Sequence, residues 1–277
     1  MQRFDSLDAM NVFAEYASYY NLLYQNKDYD GEVEFVSQLL QKYAPGTQAL
    51  LELGCGTGRH AQSFAQRGYT VAGIDISSDM LLLAQQRIAQ LPTSVASKLS
   101  FSFGDLRNIR LNRQFDAVIS LFHVYSYQTT NADLLSAFET AKTHLKPGGV
   151  LLFDFWYGPA VLNEKPSVRI KRLESEEITV VRIAEPELKA NDNMVEVRYT
   201  VFITDKATGA VKQIWETHRM RYLFLPEIEL FLSQVGLQLV KSGEWMTSKP
   251  ANASSWGVYV VARLADVDGK LDRSVLY

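Results

Sequence analysis

The sequence is poor in the features that most readily disclose a chemistry. Cys55 is the single cysteine of 277 residues, so no disulfide can close within the chain and a reducing compartment is expected. No Cys-x-x-Cys occurs, and His60, His123, His144 and His218 are too scattered to read as a ligand set, so no metal is expected. Lysine and arginine total 28 against 31 aspartates and glutamates, a net charge of −3 with a pI near 5.9. That balance provides no global basic field to draw in nucleic acid. The longest apolar run, Val150 to Val161, is interrupted by Asp154 and is too short to span a bilayer. Met1-Gln2-Arg3-Phe4-Asp5 carries neither a basic stretch nor a following apolar one. A cytoplasmic protein with no membrane or nucleic-acid partner is therefore expected. Repeats and low-complexity tracts are absent too, and 47% hydrophobic content is that of an ordinary globular chain, long enough for one large core with elaboration.

Two phosphate-binding patterns are missing at the place that invites them. Leu50-Leu51-Glu52-Leu53 reads as a buried strand and runs into Gly54-Cys55-Gly56-Thr57-Gly58, with helical spacing at Ala61, Phe64 and Ala65 ending at Gly68. A glycine turn above the carboxyl end of a strand and at the start of a helix is where open α/β sheets bind ligands. A dinucleotide fingerprint needs its third glycine at position 59, where Arg59 stands, and no Gly-Lys-Ser/Thr follows for a P-loop. Glycines let a ligand approach bare backbone, and Cys55 between them reads as a small residue packed in a tight turn.

Glu52-x-Gly54-x-Gly56-x-Gly58 resembles motif I of the class I S-adenosylmethionine-dependent methyltransferases. The elements that this family places around it follow in order. Thr70 to Asp75 reads as a second strand ending in a carboxylate 23 positions after Glu52, about where a ribose-binding acid is expected. Ile76 follows, and Ser77 reads as a helix N-cap with Asp79 in the first turn and Met80 available to an adenine face. Phe103-Gly104-Asp105-Leu106 resembles the family's adenine-recognition stretch. Phe115 to Ser120 and Leu145-Lys146-Pro147-Gly148-Gly149 resemble its fourth strand and the turn before its fifth. The resemblance covers about residues 50 to 160 and implies S-adenosyl-L-methionine as cofactor. Glu52, Gly54, Cys55, Gly56, Gly58, Asp75, Ile76, Met80, Gly104, Asp105, Leu106 and Leu121 are its expected contacts.

Ahead of that unit, Phe13, Tyr16, Tyr20 and Tyr24 fall on one face of a helix, and Val33, Val36, Leu39, Leu40 and Tyr43 on another. Related small-molecule methyltransferases close an N-terminal helical segment over the cofactor, which implies a lid with Tyr16 and Tyr20 at the cofactor and Tyr24 toward the acceptor. Strands near 48–53, 70–75, 99–103, 115–121 and 149–156 alternate with helices, one of which Asn131 can cap. Beyond Gly158-Pro159 come four strand-like segments with turn sequences between them, then a short helix opening at Pro226 and two closing strands. The expected architecture is α/β, a doubly wound, mostly parallel seven-stranded sheet with a helical lid over residues 1–45. The cofactor-binding unit spans 46–160 and 223–264, an antiparallel β-meander is inserted at 161–222, and 265–277 form a tail.

On the acceptor side, His123 can take a proton from an amine or hydroxyl, while Tyr127 and Tyr157 can orient it; Tyr20 completes the expected catalytic set. Alternation in the insert separates His218 and Met220 from Arg219 and Arg221, and inward arginines would suit an anionic group. Lid, Gly-Asp element and insert together resemble the N-methyltransferases of nucleotide-linked amino sugars and the glycine N-methyltransferase type. A methyltransferase for a small polar metabolite, by N-methylation of an amine or amino sugar, is the first expectation. O-methylation, an RNA-modifying protein using Arg107, Arg110, Arg113 and Arg169 to Arg172, and a non-catalytic cofactor binder are the alternatives. The insert is expected to wall the acceptor pocket, its other use being a homodimer interface.

Overall fold

The computed structural model describes residues 19–264 apart from residue 21, so Phe13, Tyr16 and the tail expected at 265–277 lie outside the described residues. Its larger sheet has seven strands in the order β10-β11-β5-β4-β1-β2-β3. These are β1 (Ala49–Leu53), β2 (Thr70–Asp75), β3 (Leu99–Phe103), β4 (Phe115–Ser120), β5 (Leu145–Trp156), β10 (Leu237–Glu244) and β11 (Gly257–Leu264). The pairs among β1 to β5 are parallel, whereas β11 is antiparallel to both of its neighbours. Period-two alternation sends Leu51 and Leu53 into one hydrophobic layer with Phe115, Phe138, Phe153 and Ile228, and Leu50 into the other with Val36, Leu40, Phe64 and Val71. Both faces are thus covered, and the central strands can be continuously apolar.

Local chemistry sets the helix ends. Asp28 caps the helix Tyr29–Tyr43 by accepting from Gly31 N at 2.8 Å, and the apolar spacing read from the sequence buries Val33, Val36, Leu39, Leu40 and Tyr43. Ser77 caps Ser78–Ala89 through Met80 N at 3.2 Å, as expected. Thr130, not Asn131, caps Asn131–Thr143; its hydroxyl accepts from Asp133 N at 3.0 Å, which leaves Asn131 as the first helical residue. β5 begins before the expected turn. Register along β4 jumps from Phe115 opposite Leu145 to Ala117 opposite Val150, so the Pro-Gly-Gly segment bulges out of a ladder that has already started.

A short helix, Gly158–Asn163, follows β5. Sequence reading placed only a change of texture there, yet the fixed φ of Pro159 suits the first turn of a helix. The second sheet is antiparallel, of four strands in the order β6-β7-β8-β9. They are β6 (Arg169–Glu174), β7 (Ile178–Lys189), β8 (Met194–Asp205) and β9 (Val211–Arg221). Val180, Val201 and Ile214 on one face pack with Tyr19, Leu23 and Met80, which joins the second sheet to the N-terminal helical segment and to the helix after β2. Among the described residues, no helix is long and apolar enough to cross a membrane and no cluster of His, Cys, Asp and Glu could hold a metal ion.

Candidate functional site

A cavity of about 450 Å³ opens above the carboxyl ends of β1, β2 and β4. Its floor is the glycine turn, and the three glycines do different things. All have positive φ, at 77° for Gly54, 53° for Gly56 and 71° for Gly58. A Cβ on Gly54 would come within 2.6 Å of Val124, and one on Gly58 within 2.5 Å of Phe101. Those two glycines permit packing, and Gly58 is not in the cavity wall, contrary to expectation. A Cβ on Gly56 would meet nothing within 4 Å, and Gly56 does line the cavity. The open backbone read from the sequence is concentrated at that one residue.

Asp75 ties the floor together. Its Oδ2 accepts from Gly56 N at 2.7 Å and its Oδ1 from Ser77 N at 2.9 Å. Burial raises its pKa, against the pull of those backbone N–H groups. Cys55, Ile76, Met80, Gly104, Asp105, Leu106 and Leu121 line the same space. Burial pushes the Cys55 thiol well up, which suits a packed residue and not a nucleophile. Arg107 donates to Asp105 through Nε at 2.9 Å and reaches Asp133 at 3.0 Å, a contact that the sequence did not disclose. Glu52 corrects the expectation: it is 1% exposed, lies beneath the turn and is absent from the cavity wall. Burial first, then Asp75, pushes its carboxyl up to about 8. His60, which does line the cavity, stands 3.8 Å from Glu52 and hydrogen-bonds Glu32 at 2.7 Å.

The second wall begins at the end of β4. Phe122 and His123 follow one another at φ 69° and 63°, a left-handed pair that non-glycine residues adopt only where surroundings enforce it. Asp154 enforces it here by accepting from His123 N at 3.1 Å, while His123 Nδ1 stands 2.7 Å from Asp154 Oδ2. Asp154 is 1% exposed near the carboxyl end of β5. Sequence reading took it as a break in an apolar run and placed it in the acceptor-side stretch after strand five without giving it a role, although a carboxylate in a buried strand signals a partner. Tyr20, Tyr24 and Tyr29 come from the N-terminal helical segment. Tyr20 and Tyr24 lie 4.7 Å apart, and Tyr24 meets Phe122 edge-on at 5.0 Å. Burial raises the Tyr20 and Tyr29 hydroxyls above the usual phenol range, Tyr29 to about 12.

The insert supplies the third wall. Alternation along β9 is as read from the sequence, with Ile214, Glu216, His218 and Met220 buried and Trp215 and Arg219 exposed. The side facing the cavity is the opposite of that expected, because strand periodicity separates two faces without saying which one meets the site. His218 and Met220 line the cavity. Arg219 points outward and pairs with Glu196 at 3.2 Å. Arg221, at the strand end, is buried against Glu227 and reaches Asn131 Oδ1 at 2.7 Å, away from the cavity. Tyr157 is likewise outside, edge-on to Phe155 at 6.4 Å in the core. Arg59 and Arg107 line the cavity from the parallel-sheet unit; the arginine that the insert does turn to the cavity is Arg182 on β7, its guanidinium 3.7 Å above the Tyr199 ring. Tyr127 lines the cavity beneath it and meets His218 Nδ1 at 2.7 Å. Of the basic residues of the RNA alternative, Arg110 reaches Thr140 at 2.6 Å, Arg113 lies over Phe115 at 4.9 Å and Lys171 donates to Leu23 O at 2.8 Å, while Arg169 and Arg172 are exposed.

Comparisons with known proteins agree with this layout. Residues 50–149 match a family model described as a methyltransferase domain. Over 228 residues, 81% of this chain and 91% of the relative, the chain is 30% identical to the dTDP-3-amino-3,4,6-trideoxy-alpha-D-glucopyranose N,N-dimethyltransferase of Streptomyces venezuelae. It is 29% identical over 240 residues to the dTDP-3-amino-3,6-dideoxy-alpha-D-glucopyranose N,N-dimethyltransferase of Streptomyces fradiae, covering 86% of this chain and 88% of that protein. Among solved structures, Streptomyces venezuelae DesVI superposes with a TM-score of 0.75 at 26% identity, over 90% of this chain and 98% of that one.

Proposed function

The chain belongs to the class I S-adenosylmethionine-dependent methyltransferases, close to the amino-sugar N-methyltransferases, and from that premise we propose that it methylates the amine of a nucleotide-linked amino sugar. The observation that carries the reading is a cavity in which Gly56 opens the floor while His123, Tyr127 and Arg182 face it from other walls. A methyl donor and an acceptor can then meet within one cavity.

The floor fits S-adenosylmethionine. Gly54, Cys55 and Gly56 would lie along the methionine portion, where the absent Cβ of Gly56 leaves room. Asp75 would accept from the ribose hydroxyls, since a carboxylate has lone pairs beyond the two that its backbone partners use. Ile76, Met80 and Leu106 would flank the adenine, with Asp105 toward its amine, and Tyr20 and Leu121 would close the space from the lid and β4. When bound, the cofactor supplies a methyl carbon made electrophilic by its sulfonium.

The remaining work falls to the protein. Amines arrive largely protonated at neutral pH, so a base must expose the lone pair before it can attack. His123 holds Nδ1 against Asp154, and its Nε2 would take that proton. Tyr24 and Tyr127 would orient the amine, and Arg182 would hold an anionic group such as the diphosphate of a nucleotide sugar. Much of the rate then comes from alignment, for which effective molarities of roughly 10⁵ to 10⁸ M are known. The relatives named for N,N-dimethylation support transfer of two methyl groups. The acceptor role of the insert rests on its inner face; its outer face, with Trp215 72% exposed, is the surface we assign to a homodimer. We place the reaction in the cytoplasm.

Mass spectrometry of the purified protein, followed by a methyl-transfer screen against nucleotide-linked amino sugars, free amines and hydroxylated counterparts, tests the proposal. Cofactor in the purified protein and preferential methylation of the amino sugars are expected. Cofactor binding with methylation confined to hydroxyl acceptors would overturn it.

A further inference from the structure

Among the described residues three arginines line the cavity, and they differ in what answers their charge. Arg107 is committed to Asp105 and Asp133, and Arg182 lies over Tyr199 in the insert. Arg59 has no such acid. Its Nε is buried without a hydrogen-bond partner, and among the described residues no ion pair reaches its guanidinium. What holds it is an aromatic face, since the guanidinium carbon lies 5.3 Å from the centre of the Tyr29 ring. Burial pushes the Tyr29 hydroxyl up to about 12, so this partner is a neutral phenol and leaves the charge of Arg59 intact.

Position adds to this. Arg59 opens the helix Arg59–Gln66 directly after Gly58, and that helix has no acid in its first turn. A second cation stands close by: Arg87 donates through Nε to Thr57 O at 3.0 Å, on the same glycine turn, and burial followed by the charge of Arg59 lowers its pKa. Like charges gathered at a half-buried wall, with the helix dipole added to them, destabilise the protein by itself. An anionic ligand would offset that, and a guanidinium presents two parallel donors that match a carboxylate.

We infer that Arg59 holds the α-carboxylate of the methionine portion of the cofactor, and that it makes this carboxylate a requirement for tight binding. The inference rests on the cofactor reading above, in which Gly54, Cys55 and Gly56 carry the methionine portion; Arg59 is the cavity-lining cation on that same turn. The other anion that the cavity would meet is the diphosphate of a nucleotide sugar, and the insert faces it with Arg182 from another wall. S-adenosylmethionine carries two positive groups, the sulfonium and the α-ammonium, and one negative group. An arginine without an acid beside it therefore admits the intact cofactor and repels its decarboxylated form, in which both positive groups remain.

The test measures, by calorimetry on the full chain, the binding of S-adenosylmethionine and of decarboxylated S-adenosylmethionine to wild type, Arg59→Met and Arg59→Lys, with circular dichroism as the check on folding. Wild type should prefer the intact form by roughly tenfold to a hundredfold. Arg59→Met should weaken the intact form by a similar factor and bind the decarboxylated form as tightly or more so, which erases the preference. Arg59→Lys keeps the charge without the fork and should restore part of it. Affinity for a nucleotide-linked amino sugar, measured with the demethylated cofactor at saturation, should stay within about twofold in both variants. A wild type without the preference, or a preference that survives in Arg59→Met, overturns the proposal. Equal weakening of both forms assigns Arg59 a purely structural role and overturns it as well, and loss of acceptor affinity with cofactor affinity intact gives Arg59 to the diphosphate and does the same. A folded wild type that binds neither form nor the demethylated cofactor overturns the cofactor reading instead.

Discussion

The floor and the insert meet in one cavity but are built on opposite terms. Residues of the floor are neighbours in sequence: Gly54, Cys55 and Gly56 lie on one turn, and Asp75 to Ser77 on another, so local backbone geometry fixes their relation. Residues of the insert wall come from three strands and a loop, with Arg182 on β7, Tyr199 on β8, His218 on β9 and Tyr127 after β4. The first arrangement can change little without losing its ligand. The second can exchange side chains one at a time on a fixed sheet, which suits a surface that selects the acceptor.

If this division holds, damage to each part should be separable. The largest effect is expected from Gly56→Val, which sets a branched residue at φ 53° and fills the space reserved for ligand. Cofactor affinity by calorimetry should fall by about a hundredfold or more, with the fold retained by circular dichroism; near-normal binding would break the assignment of the floor. Arg182→Met should act on the other side alone. Acceptor KM should rise by roughly tenfold while cofactor affinity stays within twofold, since a contact common to ground and transition states is lost. Equal losses in both would mean that the two walls are not independent.

A third change sharpens the contrast beneath the floor. Folded Glu52 keeps its proton up to about pH 8, whereas an unfolded glutamate releases it near its ordinary 4.5. Between those values the native state binds more protons than the unfolded one, so stability falls as pH rises. Glu52→Gln should flatten the decline of Tm across that window; an unchanged slope would show that Glu52 is ionised in place. The smallest effect belongs to Arg219→Ala on the outer face of the insert, where an exposed ion pair with Glu196 is worth about 0 to 1 kcal/mol. Acceptor KM should remain within twofold, and a larger change would return that face to the site.

Legibility in the sequence follows the same line. The glycine register, the acid ending β2, the Ser77 cap and the Gly104-Asp105 element are local patterns, and each emerges in the cavity or at its edge as read. Glu52 and Gly58 belong to the same motif yet do not line it, because β1 alternates about its sheet and Gly58 exists to admit Phe101. In the insert the periodicity of β9 was readable, but the face it turns inward depends on how a second sheet docks, and Arg182 gained its place by that docking. Asp154 was legible only as an anomaly, a charge amid Leu151, Leu152, Phe153 and Phe155 whose partner, His123, lies 31 residues away.

The central claim is that this cavity joins S-adenosylmethionine to the amine of a nucleotide-linked amino sugar. Mass spectrometry of the product formed from a nucleotide-linked primary amino sugar and S-adenosylmethionine tests it most directly, with the corresponding hydroxylated sugar as the paired acceptor. The account predicts two methyl groups on the amine, none on the hydroxyl, and no product from Gly56→Val. Methylation of the hydroxyl in preference to the amine, or no methylation of the amine by a protein that binds the cofactor, would contradict it.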